Sequence, residues 1–343
     1  MPLLNKIFTL LVIALFLSCG DNTKNQQPNF SIKTNAEGGK IQLGKTLSLS
    51  LKNSKNLEIS GTTFSLNDKT IDSNFKLENV KLGKQTIKAV VSHDGKVEEV
   101  STSITILSNK KPDILSFEII NEYPHDITSY TQGLEFHNGK LYESTGQYGE
   151  SKLRITDHKT GEIIENVDLT SSFFGEGLTI LNNNIYQLTW QENTGFIYDA
   201  ETLEKKSSFK YGQSKEGWGI CNDGNNLYKS DGTEKIWTLN PDTLTEEKFV
   251  QVYTHKGMIP SLNELEWIDG KIYANIYQRN GVVIINPVNG MVESVIDFSS
   301  LKKKVTQHEG LDVLNGLAYN PDRKTLFVTG KRWDKIFEVR IVE

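Results

Sequence analysis

Apolar and polar residues alternate in short runs between about Asn29 and Leu107: IQLGKTLSLSLK, LEISGTTFSL, FKLENVKLGKQTIKAVVSH and VEEVSTSITIL. A period of two turns one face of a strand to a core and leaves the other wet, and the Gly, Asn and Asp residues between runs predict turns. Residues 29–108 are therefore expected to form a small immunoglobulin-like β-sandwich. The stretch has no cysteine pair, no tryptophan and no motif that carries chemistry, so it reads as a spacer or partner-binding module. The polar junction SNKKPD, at 108–113, ends it.

From 114 to 343 the alternation repeats on a longer scale. Five hairpin units read QGLEFHNGKLYESTG (132–146), EGLTILNNNIYQLTW (176–190), WGICNDGNNLYKSDG (218–232), NELEWIDGKIYANIY (263–277) and NGLAYNPDRKTLFVTGK (315–331). Their starts are 44, 42, 45 and 52 residues apart, and only the fifth departs from the common internal spacing, by two extra residues in its turn. A further strand pair is expected after each hairpin, as in SKLRITDHKTGEIIENVDL. Four strands per repeat of this length mark a propeller blade, so the fold expected is all-β, a five-bladed β-propeller preceded by the sandwich.

The first strand of a blade lines the central channel and the second runs back beside it. The first and last residues of every unit must then meet at one mouth, opposite turns such as HNGK and IDGK. The first residues are Gln132, Glu176, Trp218, Asn263 and Asn315; the last are Gly146, Trp190, Gly232, Tyr277 and Lys331. Ten positions with one acid, Glu176, one base, Lys331, three amides and three aromatics suit a small polar ligand. Gln132 and Asn315 also have a bland reading, as amides that satisfy channel backbone. The aromatics have one as packing between blades. Glu176, in SFFGEGLT, is costly to bury beside Phe173 and Phe174 unless it is paired or used.

Composition narrows the setting. A formal net charge of -5, with 24% charged residues, leaves no basic footprint for nucleic acid. The start, MPLLNKIFTLLVIALFLSCG, has one lysine and an apolar run from Ile7 to Leu17 that is short for a membrane span. It ends in Leu17-Ser18-Cys19-Gly20, which resembles a bacterial lipoprotein processing site, with Phe16 where Leu is commoner. Residues 1–19 are thus expected to be a lipoprotein signal with Cys19 as the lipidated residue, and 20–28 a polar tether. An ordinary secretory signal is the alternative. The chain is expected in the bacterial cell envelope, lipid-anchored and facing the periplasm or in the outer membrane, as a monomer. The second cysteine, Cys221, reads as a buried small hydrophobe.

Eight motifs in order, YTQGLEF, FGEGLT, QLTWQE, EGWGI, LNELEW, ANIYQR, GLAYNP and VTGKRW, carry a family resemblance over roughly 115–343. Together they resemble the glutaminyl-peptide cyclotransferases (glutamine cyclotransferases) of the plant and bacterial, five-bladed propeller type. The resemblance implies conversion of an N-terminal glutaminyl residue of a peptide or protein to pyroglutamate, with release of ammonia and without the catalytic zinc of the animal-type enzymes. It assigns catalysis to Glu176, Asn263 and Lys331, and substrate binding to Tyr130, Gln132, Phe174, Trp190, Trp218 and Tyr277. Tyr130 stands where the family usually has Phe, and Tyr277 where plant members have Trp. No cofactor is implied, although some relatives hold a structural calcium in the channel, for which carbonyl and Asn oxygens would serve here.

The chemistry suits those roles. The free α-amine attacks the side-chain amide of its own residue, so an aromatic-walled pocket need only select the folded-back conformer. One carboxyl group near both nitrogens can take a proton from the amine and return it to departing ammonia. Desolvation by Phe174 and the tryptophans is expected to raise the Glu176 pKa into the working range. Asn263, and Lys331 unless it pairs with Glu176, would stabilise the oxyanion. Two rivals stand beside this reading. One is a propeller lipoprotein that only binds a peptide or envelope partner. The other is a metal-dependent hydrolase of the lactonase sort, against which the single acid of the mouth counts.

Overall fold

The computed structural model describes residues 28–240 and 242–342, so the leader with Cys19 and nearly all of the tether lie outside the described residues. The first region is two sheets. Phe30–Thr34, Thr46–Asn53 and Asn74–Lys76 form one; Lys40–Gln42, Lys96–Leu107, Gly83–His93, Ile59–Leu66 and Lys69–Ile71, in that spatial order, form the other. Along Gly83–His93 every second residue is buried, which turns Ile87, Ala89 and Val91 onto Phe30, Leu47, Leu77 and Ile106 in one shared core.

This sandwich rests on the side of the ring. The Leu82 N–H donates to Asn289 O at 2.9 Å, Lys81 Nζ to Phe249 O at 2.8 Å, and Ser108 N–H to Thr254 O at 3.3 Å. Tyr253 and Met291 reach into the sandwich core. None of these residues lines the cavity described below.

The ring begins with three separate four-stranded antiparallel sheets: 131–137, 140–145, 152–156 and 163–168; then 175–181, 184–189, 195–199 and 205–209; then 220–222, 227–230, 235–239 and 246–251. An eight-stranded sheet holds two more such units. One is 262–268, 271–276, 281–285 and 292–297; the other is 314–320, 325–330 and 335–342, completed by Asp113–Pro124. The last unit corrects the expectation that a strand pair follows every hairpin. Among the described residues one strand, Lys335–Val342, follows Lys331. Asp113–Pro124 therefore supplies the fourth, antiparallel to 335–342, and also pairs in parallel with 292–297. An outer edge that would stand unpaired is covered, and the two ends of the ring are tied together.

The first strands of the five units contact one another in a closed cycle, 131–137 against 175–181, 220–222, 262–268, 314–320 and back. Five hydrophobic clusters lie at the five junctions; for example, Tyr142, Leu153 and Ile155 of the first unit meet Leu178, Ile185 and Phe196 of the second. Burial between blades therefore holds the ring, at roughly 1.5–3 kcal/mol for each large side chain removed from water. At the mouth the inner strands converge until side chains no longer fit between them. A Cβ on Gly133 would lie 2.4 Å from the Leu178 nitrogen, and one on Gly177 would lie 2.7 Å from the Gly219 Cα. That approach explains the glycine after the first residue of four units, and Gly177 N–H donates across it to Trp218 O at 2.7 Å.

Candidate active site

The far turns fix the register of the hairpins. Asn138-Gly139, Asn182-Asn183 and Asp269-Gly270 all have positive φ at both residues, as two-residue hairpin turns require. Each unit's first and last residues consequently meet at the opposite end, where a cavity of about 470 Å³ opens. Its lining contains every residue singled out for chemistry: Tyr130, Gln132, Phe174, Glu176, Trp190, Trp218, Asn263, Tyr277 and Lys331. Gln147 and Tyr148, just past the first unit, complete it. Of the ten mouth positions only three stand back. Gly146 and Gly232 leave room for the rings of Phe174 and Trp218, which a Cβ would strike at 2.3 and 2.5 Å. Asn315 sits behind Gln132.

Glu176 is buried, with 5% of its surface exposed, and accepts one hydrogen bond, from Gln132 Nε2 to Oε1 at 2.9 Å. Its Oε2 has no partner. Burial pushes its carboxyl well above the usual range; the positive charge of Lys331 opposes this, and the charges of Glu216 and Glu192 add to it. Lys331 is also buried, which lowers its pKa against the pull of Glu176 and Asp312. Its Nζ does not form an ion pair with Glu176. It lies over the Tyr130 ring, 4.6 Å from the centroid, and 5.3 Å from that of Tyr277. The Asn263 Oδ1 is likewise buried without a partner. Two orphaned oxygens and a ring-cradled ammonium are what a polar ligand would meet here.

The walls are aromatic and edge-packed. Phe174 contacts Trp190 at 5.5 Å between centroids, Tyr148 at 5.5 Å and Tyr130 at 6.2 Å, while Trp218 meets Tyr277 at 5.5 Å. The hydroxyl of Tyr130 is not stranded, since it donates to Asp312 Oδ2 at 2.8 Å.

Glu216 lies outside the residues that repeat geometry and resemblance singled out. Its Oε2 accepts from both indoles, Trp190 Nε1 at 3.1 Å and Trp218 Nε1 at 2.9 Å. The loop that carries it is held by the buried Lys229–Glu246 pair at 2.8 Å, with Lys229 Nζ also donating to the Glu216 carbonyl at 2.7 Å. The only signal in the sequence is a carboxylate two residues before Trp218, in EGWG.

Acids are therefore more numerous around the mouth than its ten positions suggest. Below it, Glu264 and Glu266 are buried and Glu135 is half-buried on the inner strands. Glu264 Oε2 accepts from the Leu317 N–H at 3.1 Å, Glu266 Oε1 from the Tyr319 N–H at 2.7 Å, and Glu135 from Ile180 N–H and the Thr179 hydroxyl. These carboxyls tie one inner strand to the next. Among the described residues no three His, Cys, Asp or Glu side chains gather as a metal set. The channel acids are engaged on backbone amides and the Thr179 hydroxyl, and no step is derived through a cation. Cys221 is a buried free thiol whose pKa burial raises, which agrees with its reading as a small hydrophobe.

Fold and site together define an all-β propeller with a buried carboxyl at an aromatic channel mouth. The family model for glutamine cyclotransferase matches residues 89–341. A glutaminyl-peptide cyclotransferase of Arabidopsis thaliana is 40% identical over 234 residues, 66% of this chain and 72% of the plant protein. The crystal structure of Myxococcus xanthus glutaminyl cyclase superposes with a TM-score of 0.63 at 35% identity, over 68% of this chain and 100% of that one. The chain belongs to the glutamine cyclotransferase family. The family match starts inside the strand Gly83–His93, so it takes in the turn and second strand of the last hairpin of the sandwich and begins earlier than the motif resemblance, at about 115.

Proposed function

We propose that this chain converts N-terminal glutaminyl residues of peptides or proteins to pyroglutamate and ammonia, with Glu176 as the single proton carrier. The observation that carries this reading is the Glu176 carboxyl itself, buried, raised in pKa, and with Oε2 free at the cavity. The α-amine nitrogen bonds to the side-chain amide carbon and gives one proton to Oε2. The bond from that carbon to the amide nitrogen then breaks as Oε2 returns the proton, so ammonia leaves and Glu176 is regenerated. Asn263 and Lys331 stabilise the oxyanion between these steps. Phe174, Trp190, Trp218, Tyr130 and Tyr277 hold the substrate folded back on itself. These groups cover both proton transfers and the developing charge, which supports a reaction without zinc.

The setting extends the proposal. Lipidation at Cys19 would hold the enzyme in the cell envelope, where exported proteins expose new N-termini; intact-mass analysis of membrane-extracted protein tests it, and an unmodified or absent Cys19 thioether would refute it. The activity is tested on the soluble chain from Asn29 with Gln-containing dipeptides and EDTA, by following the loss of one ammonia. Cyclisation in EDTA that falls in Glu176→Gln by roughly 10²–10⁴-fold supports the reading. No cyclisation by folded wild type would leave a binding propeller.

A further inference from the structure

Behind Gln132 lies a second amide, Asn315, 1% exposed and outside the cavity lining. Its Nδ2 donates twice, to the Thr131 backbone carbonyl at 3.0 Å and to Gln132 Oε1 at 3.0 Å. Gln132 Nε2 then donates to Glu176 Oε1 at 2.9 Å. The direction of this chain is not free. A backbone carbonyl only accepts, so Asn315 must present its NH₂ to Thr131 and therefore to Gln132 as well. Gln132 must answer with its oxygen, which leaves its NH₂ for Glu176. Reversal of either amide would set acceptor against acceptor or donor against donor at 3.0 Å.

We propose that Asn315 is a positioning residue: acting through Gln132, it fixes an N–H donor on Glu176 Oε1 and reserves Oε2 as the oxygen that carries the exchanged proton. A proton on Oε1 would oppose the Gln132 N–H, so the neutral acid holds it on Oε2, the oxygen without a partner. The same donor favours the carboxylate, and so offsets part of the rise that burial causes. Other groups that act on Glu176 are Lys331, Glu216 and Glu192, and the Tyr130, Tyr148 and Tyr211 hydroxyls feel its charge in turn. None of these contacts Asn315 by hydrogen bond, so a change made at Asn315 reaches Glu176 through Gln132.

This inference rests on the cyclotransferase reading, and its test separates the two. Glu176 is titrated directly in the substrate-free protein by isotope-edited infrared spectroscopy, with Glu176→Gln to assign the band, and the pH profile of dipeptide cyclisation is measured in parallel. Asn315→Leu should raise the Glu176 titration, and with it the acid limb of kcat, by about one pH unit. KM should change less than about threefold. Gln132→Met should shift the titration in the same direction, and the double variant should shift it no further than Gln132→Met alone. Asn315→Ser, whose hydroxyl can serve only one of the two acceptors, should give a smaller shift and is the milder variant if Asn315→Leu does not fold. An unchanged Glu176 titration in folded Asn315 variants, or shifts that add in the double variant, would overturn the proposal. Failure of wild type to cyclise any substrate would sink the functional reading while the infrared titration still decides the relay.

Discussion

Two sets of buried glutamates sit on the inner strands of one ring, and only one set looks like chemistry. In the throat, Glu264 and Glu266 each place an oxygen on a backbone N–H of the neighbouring inner strand, at 3.1 and 2.7 Å. At the mouth, Glu176 accepts from one side-chain amide and leaves Oε2 unpartnered. Burial raises the pKa of all three, so a raised pKa does not separate them. The partners do. A carboxyl fixed by backbone amides is a cross-tie between blades, whereas one with a free oxygen facing a cavity can move a proton.

Opposite substitutions should break the comparison if it is wrong. Glu176→Gln should abolish nearly all cyclisation, by the margin given above, while thermal melting still shows one cooperative transition. Glu216→Gln comes next in size. A glutamine oxygen in the place of Oε2 still faces both indoles, but it is a neutral acceptor, and its NH₂ then stands against the Gln191 amide that Oε1 accepts from. KM for a Gln-dipeptide should rise about tenfold, the scale of two hydrogen bonds that each lose their charged acceptor. The substitution also removes a negative charge that raises the Glu176 pKa. Its loss lowers that pKa, so the acid limb of kcat should move to lower pH, and a limb that moved upward would contradict the geometry. Steady-state kinetics across pH reads both effects.

The throat should respond in the other currency. Glu264→Leu leaves the Leu317 N–H without its acceptor, at a cost of about 1–3 kcal/mol. Melting temperature should fall by a few degrees, with kcat per folded molecule changed little. A large loss of kcat without loss of stability would place Glu264 in the chemistry and dissolve the contrast.

The mouth was legible in the sequence because it follows from arithmetic. Units of fixed length that fold as hairpins must bring Glu176, Asn263 and Lys331 to one end, whatever the turns do in detail. The throat was not legible. Glu135 and Glu264 appear in QGLEF and NELEW as polar residues on strands, and the strand that receives each oxygen is set by the closure of the ring. Glu216 escaped for a related reason. It lies in the loop before Trp218, outside the regular hairpin, and its position depends on the distant Lys229–Glu246 pair. The fourth strand of the last blade, Asp113–Pro124, comes from the far end of the ring, and no local pattern announces that.

Glu135 gives the smallest and most diagnostic test of the throat. Burial raises its carboxyl to about 7, opposed by the Thr179 hydroxyl and the Ile180 N–H, and its charge pushes Glu266 higher still. A carboxyl whose folded-state pKa lies above its unfolded value leaves stability intact below about 4.3, the unfolded pKa of Glu. Stability is then lost as pH rises through the folded value of about 7. Glu135→Gln removes that titration while its amide oxygen can still accept from Ile180. The variant should match wild type in melting temperature near pH 4, and exceed it by a degree or two at pH 8. Melting curves between those limits decide it: a difference that is constant with pH would mean that the Glu135 carboxyl titrates alike in the folded and unfolded chain, and that the throat carries no titrating strain for the mouth to contrast with.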